Sequence, residues 1–104
     1  MINQVVLVGR IKQMPVIDKD DELHDADMVM QVMRPFASSD GTYACDDVLV
    51  SMWNGQAGTL NAGCHQGDLI GLKGRIEQVG QAGLCKIIAE KIAVLQPNSM
   101  PLSH

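Results

Sequence analysis

Aromatic residues are almost missing from this chain. Its 104 residues include one Trp, one Tyr and one Phe, so any site that needs flat rings has only Trp53, Tyr43 and Phe36 to draw on. No apolar run approaches the roughly 20 residues of a membrane-spanning helix. The opening Met1-Ile2-Asn3-Gln4 has no basic segment leading into a long apolar one, so no secretory signal is expected. The expectation is a cytoplasmic protein with no membrane partner. Cysteine is scarce and odd in number, and the wide spacing of Cys45, Cys64 and Cys85 fits no zinc pattern. Cys64 and His65 are adjacent, and adjacent side chains point apart in regular structure. Buried or half-buried reduced thiols are expected. Asp18, Asp20 and Glu22 alternate but lack the glycine and terminal glutamate of a calcium loop. His24 and His65 have no Ser, Asp or Cys arrangement suited to catalysis, and His104 is terminal. Neither an enzyme nor a metal or cofactor site is expected.

Net basic charge is also lacking. The formal charge is −4, which argues against strong nonspecific duplex binding driven by counterion release. The acidity is local, however. Residues 18–27 hold Asp18, Asp20, Asp21, Glu22, Asp25 and Asp27 against Lys19 alone, and elsewhere seven basic residues face six acidic ones. A polyanionic partner therefore remains open.

What is present is a series of short apolar runs punctuated by ten glycines, without repeats or low-complexity tracts. At this length the chain forms one domain. Val5-Val6-Leu7-Val8 is β-branched and predicts a first strand over 2–11. Pro15 marks a bulge or an edge after it. Residues 18–25 read as a turn and 27–33 as a second strand. Asp40-Gly41 signals a hairpin, followed by a third strand over 48–53. Residues 56–64 form the only plausible helix, short and weak. The fourth strand covers 69–79, with Ile70, Leu72 and Ile76 on one side and Lys73, Arg75 and Glu77 on the other. Gly80-Gln81-Ala82-Gly83 turns into a fifth strand over 84–95. The seven methionines read as core filler. Pro97 and Pro101 mark an end, 97–104, that is not expected to fold. Three strands, a helix and two strands match an all-β OB-fold, a five-stranded Greek-key barrel with one short helix between strands 3 and 4. A small open sheet or sandwich satisfies the same pattern.

Several segments, in order over about 1–96, resemble the bacterial single-stranded DNA-binding protein family. They are residues 1–11, Arg34-Pro35-Phe36 with Asp40-Gly41, 46–53 ending in Ser51-Met52-Trp53, 67–76, and 89–95. The resemblance implies an OB fold over 1–96, assembly into a homodimer or homotetramer, no enzymatic activity, and sequence-tolerant binding of single-stranded DNA in replication, recombination or repair. Such binding needs a basic groove to follow phosphates and rings to stack on bases. Phe36 matches the family's hairpin aromatic, and Trp53 the aromatic closing the third strand. Tyr43 lies near the hairpin but matches no family aromatic. Arg10 and Lys12, and Lys73 and Arg75, sit at i, i+2 spacing on strands, so each pair shares a face. With Arg34 they are the expected phosphate contacts.

The departures favour an alternative, an OB-fold interaction module or primosome-type accessory factor that has lost most DNA binding. Asp47 stands where the family commonly carries an aromatic, and strand parity places it on a face with Leu49, Ser51 and Trp53. The strand 4–5 hairpin is short and without aromatics, and residues 18–27 are unusually acidic for a loop between the first two strands. The family's glycine-rich linker and acidic tip are not seen after residue 96, so tip-mediated recruitment of replication proteins is not expected.

Overall fold

Strands that alternate apolar and polar side chains need a surface with an inside and an outside, and closing the sheet on itself supplies both. The computed structural model describes residues 1–20 and 25–97. It contains β1 (Val5–Val16), β2 (Ala26–Met33), β3 (Cys45–Met52), helix α1 (Asn54–Gly63), β4 (Leu69–Gln78) and β5 (Cys85–Gln96). The strands close into a barrel in the order β1-β2-β3-β5-β4. All neighbours are antiparallel except β3 and β5, which run parallel through Val50↔Ile87 and Ser51↔Ile88. This is the OB arrangement, helix included. Part of the acidic turn, 21–24, and most of the expected unfolded end, 98–104, lie outside the described residues.

β1 is shared by both halves of the barrel. Its first half pairs with β4 from Val5↔Gly74 to Arg10↔Leu69, and its second with β2 from Arg10↔Gln31 to Val16↔Asp27. The turn before β4 docks at this hand-over. The Ile11 N–H donates to the Asp68 carbonyl (3.0 Å), and the Gly67 N–H donates to the Ile11 carbonyl (2.8 Å). The strand runs past Ile11 to Val16, through Pro15. Register shifts between Ile11 and Gln13 and between Gln13 and Val16 absorb the proline, which has no N–H for a ladder bond. At the other end Asn3 extends the β1–β4 ladder, donating from Nδ2 to the Ile76 carbonyl (2.9 Å) and accepting the Ile76 N–H at Oδ1 (3.0 Å). Two glycines allow the barrel to close tightly. A Cβ on Gly9 would collide with the Gln31 carbonyl oxygen, and one on Gly74 with that of Ile88.

The core is aliphatic and methionine-rich, built from Ile11, Met28, Met30, Val50, Met52 and Ile70 with Ala57 and Leu60 of α1. Flexible thioethers fill the irregular interior that rings would otherwise occupy. Met33 is exposed, and so is Ile76, although it shares the strand parity of the buried Ile70 and Leu72. The thiol expectation holds only for Cys64. Cys45 and Cys85 are exposed, since each opens a strand at the barrel's rim.

α1 is tied to β1 by Asn61 Nδ2, which donates to the Pro15 carbonyl (3.0 Å). Its start corrects the reading of Trp53. The third strand begins at Cys45 rather than Val48 and ends at Met52. Trp53 is the extended N-cap residue of α1, its carbonyl accepting the N–H groups of Gln56 and Ala57. It therefore leaves the strand and does not continue the face of Asp47, Leu49 and Ser51.

Candidate nucleic-acid interface

Outward side chains of β1, β2 and β3 line up by register. Arg10 stands beside Gln31, and Gln31 beside Asp47. Arg10 Nη1 donates to the Gly67 carbonyl (2.9 Å), which aims an exposed guanidinium along the turn before β4. Lys12, on the same outward parity, forms an ion pair with Asp47, Nζ to Oδ2 at 2.5 Å, with both side chains about half exposed. The anion that stands in place of a ring thus also occupies a candidate phosphate ligand.

The β2–β3 hairpin carries the next three candidates. Its base is set by the Arg34 N–H donating to the Ala44 carbonyl (2.8 Å), and its tip by the Ser38 N–H to the Thr42 carbonyl (2.7 Å) and the Gly41 N–H to the Ser38 carbonyl (2.9 Å). Gly41 takes φ +85° at the turn, a left-handed conformation that glycine adopts without strain. Asp40 Oδ1 accepts from the Thr42 N–H (3.1 Å) and Oγ1 (2.7 Å), and these bonds hold its carboxyl below the usual range. Arg34 grips Asp46 with two parallel bonds, Nε to Oδ2 (3.0 Å) and Nη2 to Oδ1 (2.9 Å). The hydrogen bond and then the charge of Asp46 raise the Arg34 pKa, and the Arg34 bond lowers that of Asp46. Phe36 and Tyr43 project from opposite arms of this hairpin, 68% and 53% exposed. Trp53 is 66% exposed. All three rings are therefore spent on the surface, and the barrel is filled without them.

The other two cations lie around the barrel on β4. Lys73 is in register with Val6 of β1 and Lys91 of β5, and has no carboxylate partner among the described residues. Arg75 pairs with Glu77 (3.2 Å) and Glu90 (3.7 Å). Along the β1–β4 ladder Arg10 and Lys73 are four positions apart, about 13 Å at strand rise. The structure thus gathers Arg10, Lys12 and Arg34 toward the β1–β2–β3 face and keeps Lys73 and Arg75 on the β4–β5 face. Two placements come from the fold and not from the sequence pattern. Lys91 sits beside Lys73 through strand register alone. Gln56 lines a groove beside Trp53, and its only sequence signal is its place just after Trp53-Asn54-Gly55. The short β4–β5 hairpin closes with the Val79 N–H donating to the Leu84 carbonyl (2.8 Å) and positive φ at Gly80 and Gly83.

No family model matches the chain. Individual proteins do. A single-stranded DNA-binding protein of Streptococcus pneumoniae serotype 4 is 34% identical, over 100% of this chain and 72% of its own length. Single-stranded DNA-binding protein 1 of Streptococcus pyogenes serotype M18 is 30% identical, over 92% of this chain and 80% of its own. In three dimensions, the small single-stranded DNA-binding protein of Streptomyces coelicolor superposes with a TM-score of 0.65 at 14% identity, covering 90% of this chain and 94% of that one. A mitochondrial single-stranded DNA-binding protein of S. cerevisiae gives 0.69 at 13% identity, covering 93% and 97%. The two solved structures share the barrel. The streptococcal sequences add identity along most of both chains, and with them the chain belongs to the single-stranded DNA-binding protein family.

Proposed function

We propose that this chain binds single-stranded DNA with little sequence preference. Bases stack on Phe36, Trp53 and Tyr43, and phosphates meet Arg10, Lys12, Arg34, Lys73 and Arg75. The observation that carries this reading is the exposure of all three rings in a protein that has no others. Exposing a large ring forgoes its burial energy of roughly 1.5–3 kcal/mol, and base stacking returns about 1–3 kcal/mol per base. It is a binding protein and not an enzyme. Residues 1–96 form the binding unit, acting in the cytoplasm on strands opened in replication, recombination or repair. Self-assembly into a dimer or tetramer uses the outward face of β1, where Val6 and Val8 are 69% and 52% exposed and Leu95 of β5 adds a third apolar side chain. Light scattering reads the assembly directly.

The test is a titration of Trp53 fluorescence with oligo-dT at two salt concentrations. Quenching and a steep loss of affinity with salt are expected. An affinity unchanged by salt removes the phosphate assignment. The second reading, an interaction module that has lost most DNA binding, is favoured by the ion pairs Lys12–Asp47, Arg34–Asp46 and Arg75–Glu77. A folded sample whose Trp53 emission ignores oligo-dT supports that reading instead.

A further inference from the structure

Like charges placed directly opposite each other across a sheet destabilise it, yet Lys73 of β4 and Lys91 of β5 are in register and both exposed. Neither has a carboxylate partner among the described residues. The carboxylate next to Lys91 in sequence, Glu90, is the extra residue of the register shift between Lys73 and Gly74. It pairs with Arg75 instead (3.7 Å). A bulge re-aims side chains in this way, and here it leaves two ammonium groups bare. Other cations on the strands stand beside anions. Lys12, Arg34 and Arg75 are held by carboxylates, and Lys86 has Glu77 opposite it.

The pair also adjoins the Trp53 platform. Among the described residues β3 meets β5 only at Val50↔Ile87 and Ser51↔Ile88, so from Ala89 onward β5 has an open edge on its β3 side. Trp53, which follows β3, lies across a groove from that edge, and Ile92 and Val94 form the far wall. Lys91 precedes Ile92 and takes the outward parity. We infer that Lys73 and Lys91 form a clamp for one backbone phosphate, and that a strand stacked on Trp53 crosses the open edge of β5 to reach it, which makes Lys91 a DNA-contact residue. The inference rests on the DNA-binding reading. A phosphodiester brings two anionic oxygens to two ammonium groups and relieves their repulsion. Phosphate contacts carry no base information, so the clamp suits sequence-tolerant binding. Lys73 is in register with Val6, which puts the clamp at one end of the apolar face of Val6, Val8 and Leu95.

Oligo-dT affinities at three or more salt concentrations test this, measured by anisotropy of end-labelled strands for the parent, Lys73→Gln, Lys91→Gln and Lys86→Gln. Lys73→Gln and Lys91→Gln should each weaken binding and flatten the slope of log K on log salt by about 0.7, the effect of one lost phosphate contact to a single strand. Lys86→Gln, which removes the same charge from the same strand, should keep the parent's slope. Thermal melting gives a second readout. Lys91→Gln should melt at or above the parent, because it removes the charge facing Lys73. A parent slope retained by Lys91→Gln overturns the inference and leaves DNA binding intact. So does equal flattening in all three variants, which would make net charge the only cause. A Lys91→Gln protein that melts several degrees below the parent, or does not fold, makes Lys91 a support of the ladder and overturns the inference as well. A parent that does not bind oligo-dT at low salt overturns the DNA-binding reading, and the clamp with it.

Discussion

Asp47→Asn isolates the electrostatic term at the candidate interface. The substitution keeps the side-chain shape and removes the charge that holds Lys12 at 2.5 Å. Both side chains are about half exposed, so the pair contributes at most about 1 kcal/mol to folding, and the melting curve should barely move. DNA binding should change in the opposite direction. A phosphate brought to Lys12 lies about 5 Å from the Asp47 carboxylate, where two unit charges in a water-like medium repel by about 0.8 kcal/mol. Removing that repulsion tightens binding about four-fold. It also frees one ammonium for a phosphate, steepening the dependence of log K on log salt by about 0.7. Oligo-dT titrations of the parent and Asp47→Asn at three or more salt concentrations give both quantities. If the variant keeps the parent's affinity and slope, Lys12 contacts no phosphate and the β1–β2–β3 face is not the track.

Gly74→Ala should destabilise the barrel by about 2 kcal/mol or more, because its Cβ meets the backbone of β5 at Ile88; urea unfolding that matches the parent would contradict the close strand approach. In a carboxyl NMR titration, Asp40 and Asp46 should both titrate below the usual aspartate value of about 3.9, given their bonds to Thr42 and Arg34. Their folded pKa values are depressed, so their contribution to the hairpin is complete above the unfolded value and fades as pH falls through the folded ones. An Asp46 midpoint at or above the ordinary value would break the Arg34–Asp46 assignment. A thiol reagent should label Cys45 and Cys85 quickly in the folded protein and Cys64 only on unfolding, since burial and then the charge of Asp68 push the Cys64 thiol up.

The parts of this molecule that were legible in its sequence depend on local chemistry. Val5–Val8, the alternation through Leu72 and Lys73, and Asp40-Gly41 each specify a strand or a turn from neighbouring residues. Pro15 announced the register shifts that surround it, because a missing N–H is a local fact. Boundaries were less legible. Cys45 to Asp47 carry no β-branched side chain, yet they join β3 because Met33, Val32 and Gln31 offer a ladder to pair with. Trp53 read as strand because the run before it is strand, and only the helix that follows takes its carbonyl and turns the chain there. The site follows the same rule one level up. Which residues are basic or aromatic is written in the sequence, and their exposure follows from a core already filled by methionine and isoleucine. Which carboxylate neutralises which cation is set by register between strands distant in the chain. Lys12 and Asp47 meet across β2, which lies between their strands in the barrel. A sequence therefore reveals the components of an electrostatic surface before it reveals their sum. Here that sum depends on whether phosphate can compete with Asp46, Asp47 and Glu77 for the same three cations. Exposed pairs contribute little to stability, so a polyanion that releases its own counterions is well suited to displace them.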